Sequence, residues 1–368
     1  MDPSDDVLNT LRAALHAASR GLVGREGLVE LVLLAAVAGE HLLVVGPPGT
    51  AKSAALRRVG DALGGRTFEY LLGRFTEPAE LFGPVDLRRL KEGVVAVDTT
   101  GMLPEADFVF LDELFLGSTA ILNTLLPVLN EGRFRRGSTD VAVPLRLCVA
   151  ASNALPRDPA LAALADRFVV RAFVHPLGDD QLEALLASAD APLPTGGQLL
   201  GALDALRARV GAVDLQPARP ALAAAVRTLR DGGIQLTDRR LVRAQRLVAA
   251  AAVLAGRSVA GALDLWPILY AVPTEDEQRR ARSLLPSLLA AADHPLLTAA
   301  LVGATDGPAA LASRLVARLA ALQAEGAADL RVRGWLRDVD VAFAPADRPA
   351  TLEAARARAI AALGAAGG

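Results

Sequence analysis

The stretch HLLVVGPPGTAKSAAL, residues 41–56, decides how the rest of the chain is read. HLLVV (41–45) reads as a short strand buried on both faces. A turn of glycine and proline follows, and AKSAALRRVGDAL (51–63) then has helical spacing. Strand, glycine-rich loop and helix is the setting in which backbone N–H groups converge on a phosphate. Gly46, Pro47, Pro48, Gly49, Thr50, Ala51, Lys52 and Ser53 are therefore the candidate phosphate loop. The spacing from Gly46 to Lys52 and the hydroxyl of Ser53 fit the pattern GxxxxGK[ST], but Ala51 stands where the second glycine belongs. A small Cβ is expected to be tolerated there if φ is negative. Lys52 carries its own signal, because Lys52 and Lys91 are the only lysines among 39 basic residues. A chain that uses arginine almost everywhere keeps lysine where a compact point charge is needed and a planar fork would not fit.

Composition narrows the classes. The 368 residues are 52% hydrophobic, yet no apolar run approaches the ~18 residues of a membrane span. The acidic start, MDPSDDVLNTL, does not read as a signal peptide. One cysteine, Cys148, excludes an internal disulfide framework and fits a reducing compartment, so a cytoplasmic location is expected. A net charge of −2 gives no general affinity for polyanions. His16, His41, His175 and His294 are scattered without metal-ligand spacing, and structural roles are expected for them.

The pattern along the chain is α/β. Helical periods cover 5–20 and 25–39, and strands are expected at 66–72, 106–113, 145–153 and 167–174. Residues 73–105 read as a long irregular insert in which VVAVD (94–98) alternates as one arm of a hairpin. Ser118 is placed to cap a helix running to about Glu131, which Pro127 is expected to kink or end early. RFRRGSTDVAVPL (133–145) reads as a hairpin with a Gly-Ser turn. Beyond His175-Pro176 the chain turns Ala/Leu/Arg-rich and helical, so 1–176 and 177–294 are expected to be separate domains, with 295–368 a further extension.

Acidic and amide residues mark strand ends. FVFLDE ends in Asp112 and Glu113, at the strand terminus where α/β sheets bind ligands. Asp112 would hold Mg²⁺ together with Ser53, and Glu113 would take a proton from an attacking water. Asn153, ending another strand, is placed for a γ-phosphate or that water. Arg167 and Arg171, and Arg239 or Arg240 at the start of a helix capped by Thr237, are candidate cations for a phosphoryl transition state. Arg243 and Arg246 read as solvated-face residues.

GPPGTAKS (46–53), FEYLLGRFTEPAELFGP (68–84), GMLPEADFVFLDELF (101–115), AILNTLLPVLNEGRF (120–134), AASNALP (150–156), DRF (166–168) and LTDRRLVRAQRL (236–247) occur in this order. Together they resemble the MoxR branch of AAA+ ATPases, most closely its RavA-like members, in which alanine commonly precedes the loop lysine. The resemblance implies an AAA+ αβα core with a five-stranded parallel sheet, followed by an all-helical lid and a C-terminal helical extension. It implies ATP and Mg²⁺ as cofactors, with Asp112 and Glu113 as Walker B and Asn153 as sensor 1. It also implies Arg167 as an arginine finger and Arg239 as the sensor 2 arginine, with Arg240 next to it as the alternative. Leu22, Val23 and Gly24 would lie along the adenine. Residues 73–105 would be the helix-2 insert, and 133–145 the hairpin before sensor 1. A six-membered ring acting as a chaperone-like remodeller is implied, often with a von Willebrand A-domain partner.

Two other functions compete. RFRRG at 133–137 suggests a nucleic-acid motor or loader, through stacking on Phe134 and phosphate contact by arginine. The acidic pI and the scarcity of Trp and Tyr weigh against nucleic acid. A nucleotide-gated scaffold with negligible turnover is the third reading, and intact Asp112, Glu113 and Asn153 argue against it.

Overall fold

The computed structural model describes residues 3–178, 181–187, 199–305, 315–316, 319–320, 322–324, 329–343 and 348–366. Helices α1 (Pro3–Ser19) and α2 (Glu26–Ala38) precede β1 (Leu42–Val45), and α3 (Lys52–Leu63) leads to β2 (Thr67–Leu71). The insert holds α4 (Pro78–Phe82) and α5 (Leu87–Lys91) before β3 (Phe108–Asp112). Next come α6 (Thr119–Glu131), the hairpin β4 (Arg133–Arg136) and β5 (Thr139–Ala142), β6 (Leu147–Ser152), α7 (Pro159–Ala165) and β7 (Val170–Phe173).

Five strands form one sheet in the order β2-β3-β6-β1-β7, and every pairing in it is parallel. The alternation of side chains along a strand explains the layers. Leu42 and Val44 pack on one face with α1, α2 and α3, while Leu43 and Val45 pack on the other with α6 and α7. Both faces are covered, so β1 and β6 are buried along their whole length. The edge strand β2 instead alternates between exposed and half-buried positions.

Some local expectations are corrected. Pro127 neither ends nor shortens α6, which runs unbroken from its Ser118 cap to Gly132. A proline this near a helix end sacrifices one interior hydrogen bond, and the helix stops a turn later. The pairing expected of VVAVD within the insert is present: Val85 forms an antiparallel bridge with Val97, and Asp86 N–H donates to the Ala96 carbonyl. It is clipped to the β4–β5 hairpin where Ser138 N–H donates to the Val95 carbonyl at 2.8 Å. The two-residue turn Gly137-Ser138 has φ +59° at Gly137. A Cβ there would stand 2.4 Å from the Val95 carbonyl oxygen, so only glycine permits this approach.

The C-terminal half is helical wherever it is described: α8 (Leu182–Ala187), α9 (Leu200–Val210), α10 (Arg219–Asp231), α11 (Asp238–Leu254), α12 (Glu275–Leu284), α13 (Pro286–Ala290) and α14 (Thr298–Thr305). Helices α9, α11 and α14 pack against α2, and one apolar cluster runs from the sheet into Leu203, Leu247 and Ala300. The expected boundary near residue 176 thus falls within a shared core. Helices Asp329–Ala342 and Ala350–Ala366 carry a small cluster of their own around the buried Trp335, whose indole N–H donates to the Leu315 carbonyl.

Candidate functional site

The C-terminal ends of β1, β3 and β6 lie side by side and carry Gly46, Asp112-Glu113 and Asn153. A Cβ on Gly46 would sit 2.2 Å from the Val174 carbonyl oxygen, so the loop leaves the sheet here only because the residue is glycine. Ala51 adopts φ +58°, ψ +25°. The expectation of a negative φ is therefore wrong: the turn keeps the left-handed geometry that a glycine would adopt freely, and Ala51 bears a strain of about 1 kcal/mol.

The Lys52 ammonium is buried and donates to the carbonyls of Gly46 and Pro47 at 2.6 and 2.8 Å. Burial holds its pKa below the ordinary lysine value, and Asp112 and Glu113 oppose that shift. Ser53 Oγ donates to Asp112 Oδ2 at 3.3 Å, which joins the helix after the loop to the end of β3. A hydroxyl and a carboxylate are hard oxygen donors, the kind that suits Mg²⁺. Glu113 is left-handed, with φ +51°, and its Oε1 accepts from Asn153 Nδ2 at 2.5 Å. The structure thus brings together Lys52, Ser53, Asp112, Glu113 and Asn153. Leu22–Gly24 lies beside the loop because Arg25 donates to both the Gly24 and Thr50 carbonyls at 2.8 Å.

Two predicted residues stand elsewhere. Arg167 lies just before β7, and Arg239 donates to Asn130 at 2.6 Å, near the point where His41 meets Leu129. Both positions adjoin the N-terminal ends of the strands, opposite the phosphate loop. Arg167 has no hydrogen-bond partner for its buried Nε. The two neighbours on α11 differ in burial. Arg240 is 1% exposed and donates to Asp166 and to the carbonyls of Phe168, Val169 and Ala271, so it braces the fold. Arg171 is buried likewise against the Ala165 and Pro273 carbonyls.

Arg246 is exposed as expected and Arg243 only half-buried, yet both turn to the fully buried Glu40, at 3.6 and 2.9 Å. The reading of 133–137 as a stacking platform also fails. Phe134 is fully buried and stacked on Phe82, and Arg133 and Arg135 pair with Asp140 and Glu131. His41 and His294 have structural roles: burial pushes both down to about 4, and each ring nitrogen is hydrogen-bonded to backbone. Burial raises the Cys148 thiol and keeps it inert. Sequence reasoning missed Arg25 and Glu40. Nothing distinguishes Arg25 among so many arginines, whereas the spacing of Arg243 and Arg246 on α11 was a usable sign of a shared target.

Comparison with known proteins agrees with this geometry. Residues 9–191 match a family described as the MoxR domain in the MoxR-vWA-beta-propeller ternary systems. Two uncharacterized proteins of Methanocaldococcus jannaschii are each 32% identical over 239 residues. That match takes in 64% of this chain but only 63% and 64% of those proteins. Chaperone MoxR1 of Mycobacterium tuberculosis is 28% identical over 208 residues, 54% of this chain and 53% of its own. The crystal structure of a candidate ATPase from Cytophaga hutchinsonii superposes with a TM-score of 0.63, covering 79% of this chain and 96% of that one. At 16% identity it speaks to the fold alone. The half of the chain that carries the phosphate loop, Asp112, Glu113 and Asn153 is a MoxR-type AAA+ domain.

Proposed function

We propose that the chain is a Mg²⁺-dependent ATP hydrolase that remodels a protein partner, working as a ring, most simply a hexamer. The observation that carries this reading is the paired contact beside the loop, Ser53 to Asp112 and Asn153 to Glu113. It supports the reading because Ser53 and Asp112 offer two hard oxygens, and Glu113 a hydrogen-bonded carboxylate, beside one anion cradle. Bound Mg²⁺ would offset the negative charge of the phosphates. Lys52 would bind those phosphates with its ammonium, and Ser53 and Asp112 would hold the metal. Glu113 would accept the proton of the attacking water, and Asn153 would orient that carboxylate. Leu22, Val23 and Gly24 would flank the adenine.

Arg167 and Arg239 adjoin the N-terminal ends of the strands, whereas the phosphate loop of their own chain leaves the C-terminal end of β1. We assign them to the nucleotide of a neighbouring copy, which makes each site composite. The description of the matching family supports a von Willebrand A-domain partner. The RavA-like assignment rests on the seven motifs in order, from GPPGTAKS to LTDRRLVRAQRL. Among the described residues no helix is long and apolar enough to cross a membrane, and we place the protein in the cytoplasm.

The test is phosphate release per protomer as protein concentration is raised, with Arg167→Ala alongside. Composite sites give a rate that climbs with concentration, and a variant that binds ATP yet stays slow. A flat rate equal in both proteins over a range that includes the monomer would sink the ring and the role of Arg167. Binding without any turnover would leave the scaffold reading in its place.

A further inference from the structure

Arg25 is an anomaly of charge. It occupies the N-cap of α2 and is only 8% exposed. A cation there meets the positive end of the helix dipole. Among the described residues no carboxylate accepts a hydrogen bond from it. Instead its guanidinium donates to three backbone carbonyls: Gly24 at 2.8 Å, Thr50 at 2.8 Å and His175 at 2.7 Å. These belong to the segment before α2, the phosphate loop and the exit from β7. The His175 ring in turn meets Glu275, the first residue of α12, at 2.7 Å.

The bond to Thr50 has a consequence for the anion cradle. In a trans peptide the C=O and N–H point in opposite directions. Drawing the Thr50 carbonyl toward Arg25 turns the Ala51 N–H to the other side of that peptide plane. The same plane sets φ of Ala51, which is held at +58°. From the other side Thr50 Oγ1 closes the loop onto the Pro47 carbonyl at 2.9 Å. The strained turn is thus clamped at Thr50 by two hydrogen bonds, one of them from a rigid guanidinium fork.

We infer that Arg25 is a positioning residue that braces the Thr50–Ala51 peptide, so that the phosphate loop is preformed for its nucleotide. The inference rests on the ATPase reading above. Arg25 acts on the cradle and lies outside the group formed by Asp112, Glu113 and Asn153. Its loss therefore weakens nucleotide binding more than turnover. The strain at Ala51 supplies a second handle: glycine at 51 reaches the left-handed turn freely and needs the brace less.

Steady-state ATP hydrolysis and the urea unfolding midpoint would be measured for wild type, Arg25→Gln, Arg25→Lys, Ala51→Gly and the Arg25→Lys/Ala51→Gly pair. Arg25→Gln is expected to raise KM at least about tenfold, with kcat within about threefold, as expected for losing a charged hydrogen bond to the loop. Arg25→Lys keeps the charge but not the fork and also raises KM. Adding Ala51→Gly recovers most of that rise. A KM within twofold of wild type in folded Arg25 variants overturns the inference, even if the unfolding midpoint falls. So does a pair that shows no recovery. If Arg25→Gln does not fold, Arg25→Lys and its recovery decide alone. Wild type that neither binds nor hydrolyses ATP overturns the ATPase reading and this inference with it. Active wild type with unchanged Arg25 variants overturns this inference only.

Discussion

The two ends of the parallel sheet are both rich in charge, and they treat it differently. At the N-terminal ends of the strands Arg240 makes four hydrogen bonds, both ring nitrogens of His41 are bonded, and Glu40 draws in Arg243 and Arg246. At the C-terminal ends Lys52 bonds only to its own loop, and Ser53, Asp112, Glu113 and Asn153 bond to one another. The only two non-glycine residues with positive φ among the described residues, Ala51 and Glu113, are both here. Largely saturated charge without strain holds the fold, with Glu40 Oε1, Arg167 Nε and Arg171 Nε left without hydrogen bonds, whereas backbone strain at Ala51 and Glu113 marks the place where a ligand completes the structure.

The largest expected effect separates these ends by chemistry. Glu113→Gln should lower phosphate release by about 10²–10⁴-fold while ATP binding persists, because the amide cannot take the proton. Turnover within tenfold of wild type would remove Glu113 from the reaction. The next effect separates neighbours on α11. Arg240→Met should cost about 3–5 kcal/mol in urea denaturation, since it strands Asp166 and three carbonyls around a buried site. Arg239→Met should stay within about 0.5 kcal/mol. Equal losses would erase the distinction between the braced arginine and its half-buried neighbour.

Much of this was legible in the sequence because local pattern and burial agree. Apolar runs ending in Asp112 or Asn153 can only be strands that deliver polar groups to one edge. The loop was legible from spacing, although its backbone was not: a composition argument could not show that Ala51 would be forced to positive φ by its neighbours. Arginine roles were the least legible. Whether Arg239 or Arg240 is buried depends on which side of α11 meets Asp166, a contact 74 residues away in sequence. Phe134 looked like an exposed hairpin aromatic, yet the insert supplies Phe82 to cover it.

Acid should act through the saturated end and the lid. His41 and His294 are pushed down to about 4 by burial, so the unfolded chain binds more protons than the fold between about pH 6.5 and 4. Stability is full above that window and is lost as pH falls through it. Glu30 on α2 has the opposite sign. Burial lifts it to about 7, and its stabilising share is complete below the unfolded carboxylate value and lost as pH rises through 7. Two imidazoles against one carboxyl leave a net loss of roughly 2 kcal/mol between pH 6.5 and 4.5. Unfolding curves over that range would measure it, and NMR should show both imidazoles still neutral at pH 5. A flat profile would mean that the rings are not sealed as their backbone bonds imply.

The smallest effect is the most discriminating, because its sign changes from one place to another. Ala51→Gly relieves a left-handed residue and should stabilise the protein by up to about 1 kcal/mol, after the greater freedom of glycine in the unfolded chain is subtracted. The same substitution at Ala249, buried within α11, should cost about 1 kcal/mol or more, since glycine lacks both the helix propensity and the packed methyl. Paired urea curves would show midpoints moving in opposite directions. If both fell, the turn at Ala51 would be relaxed rather than strained, and the phosphate loop would need no brace to hold it.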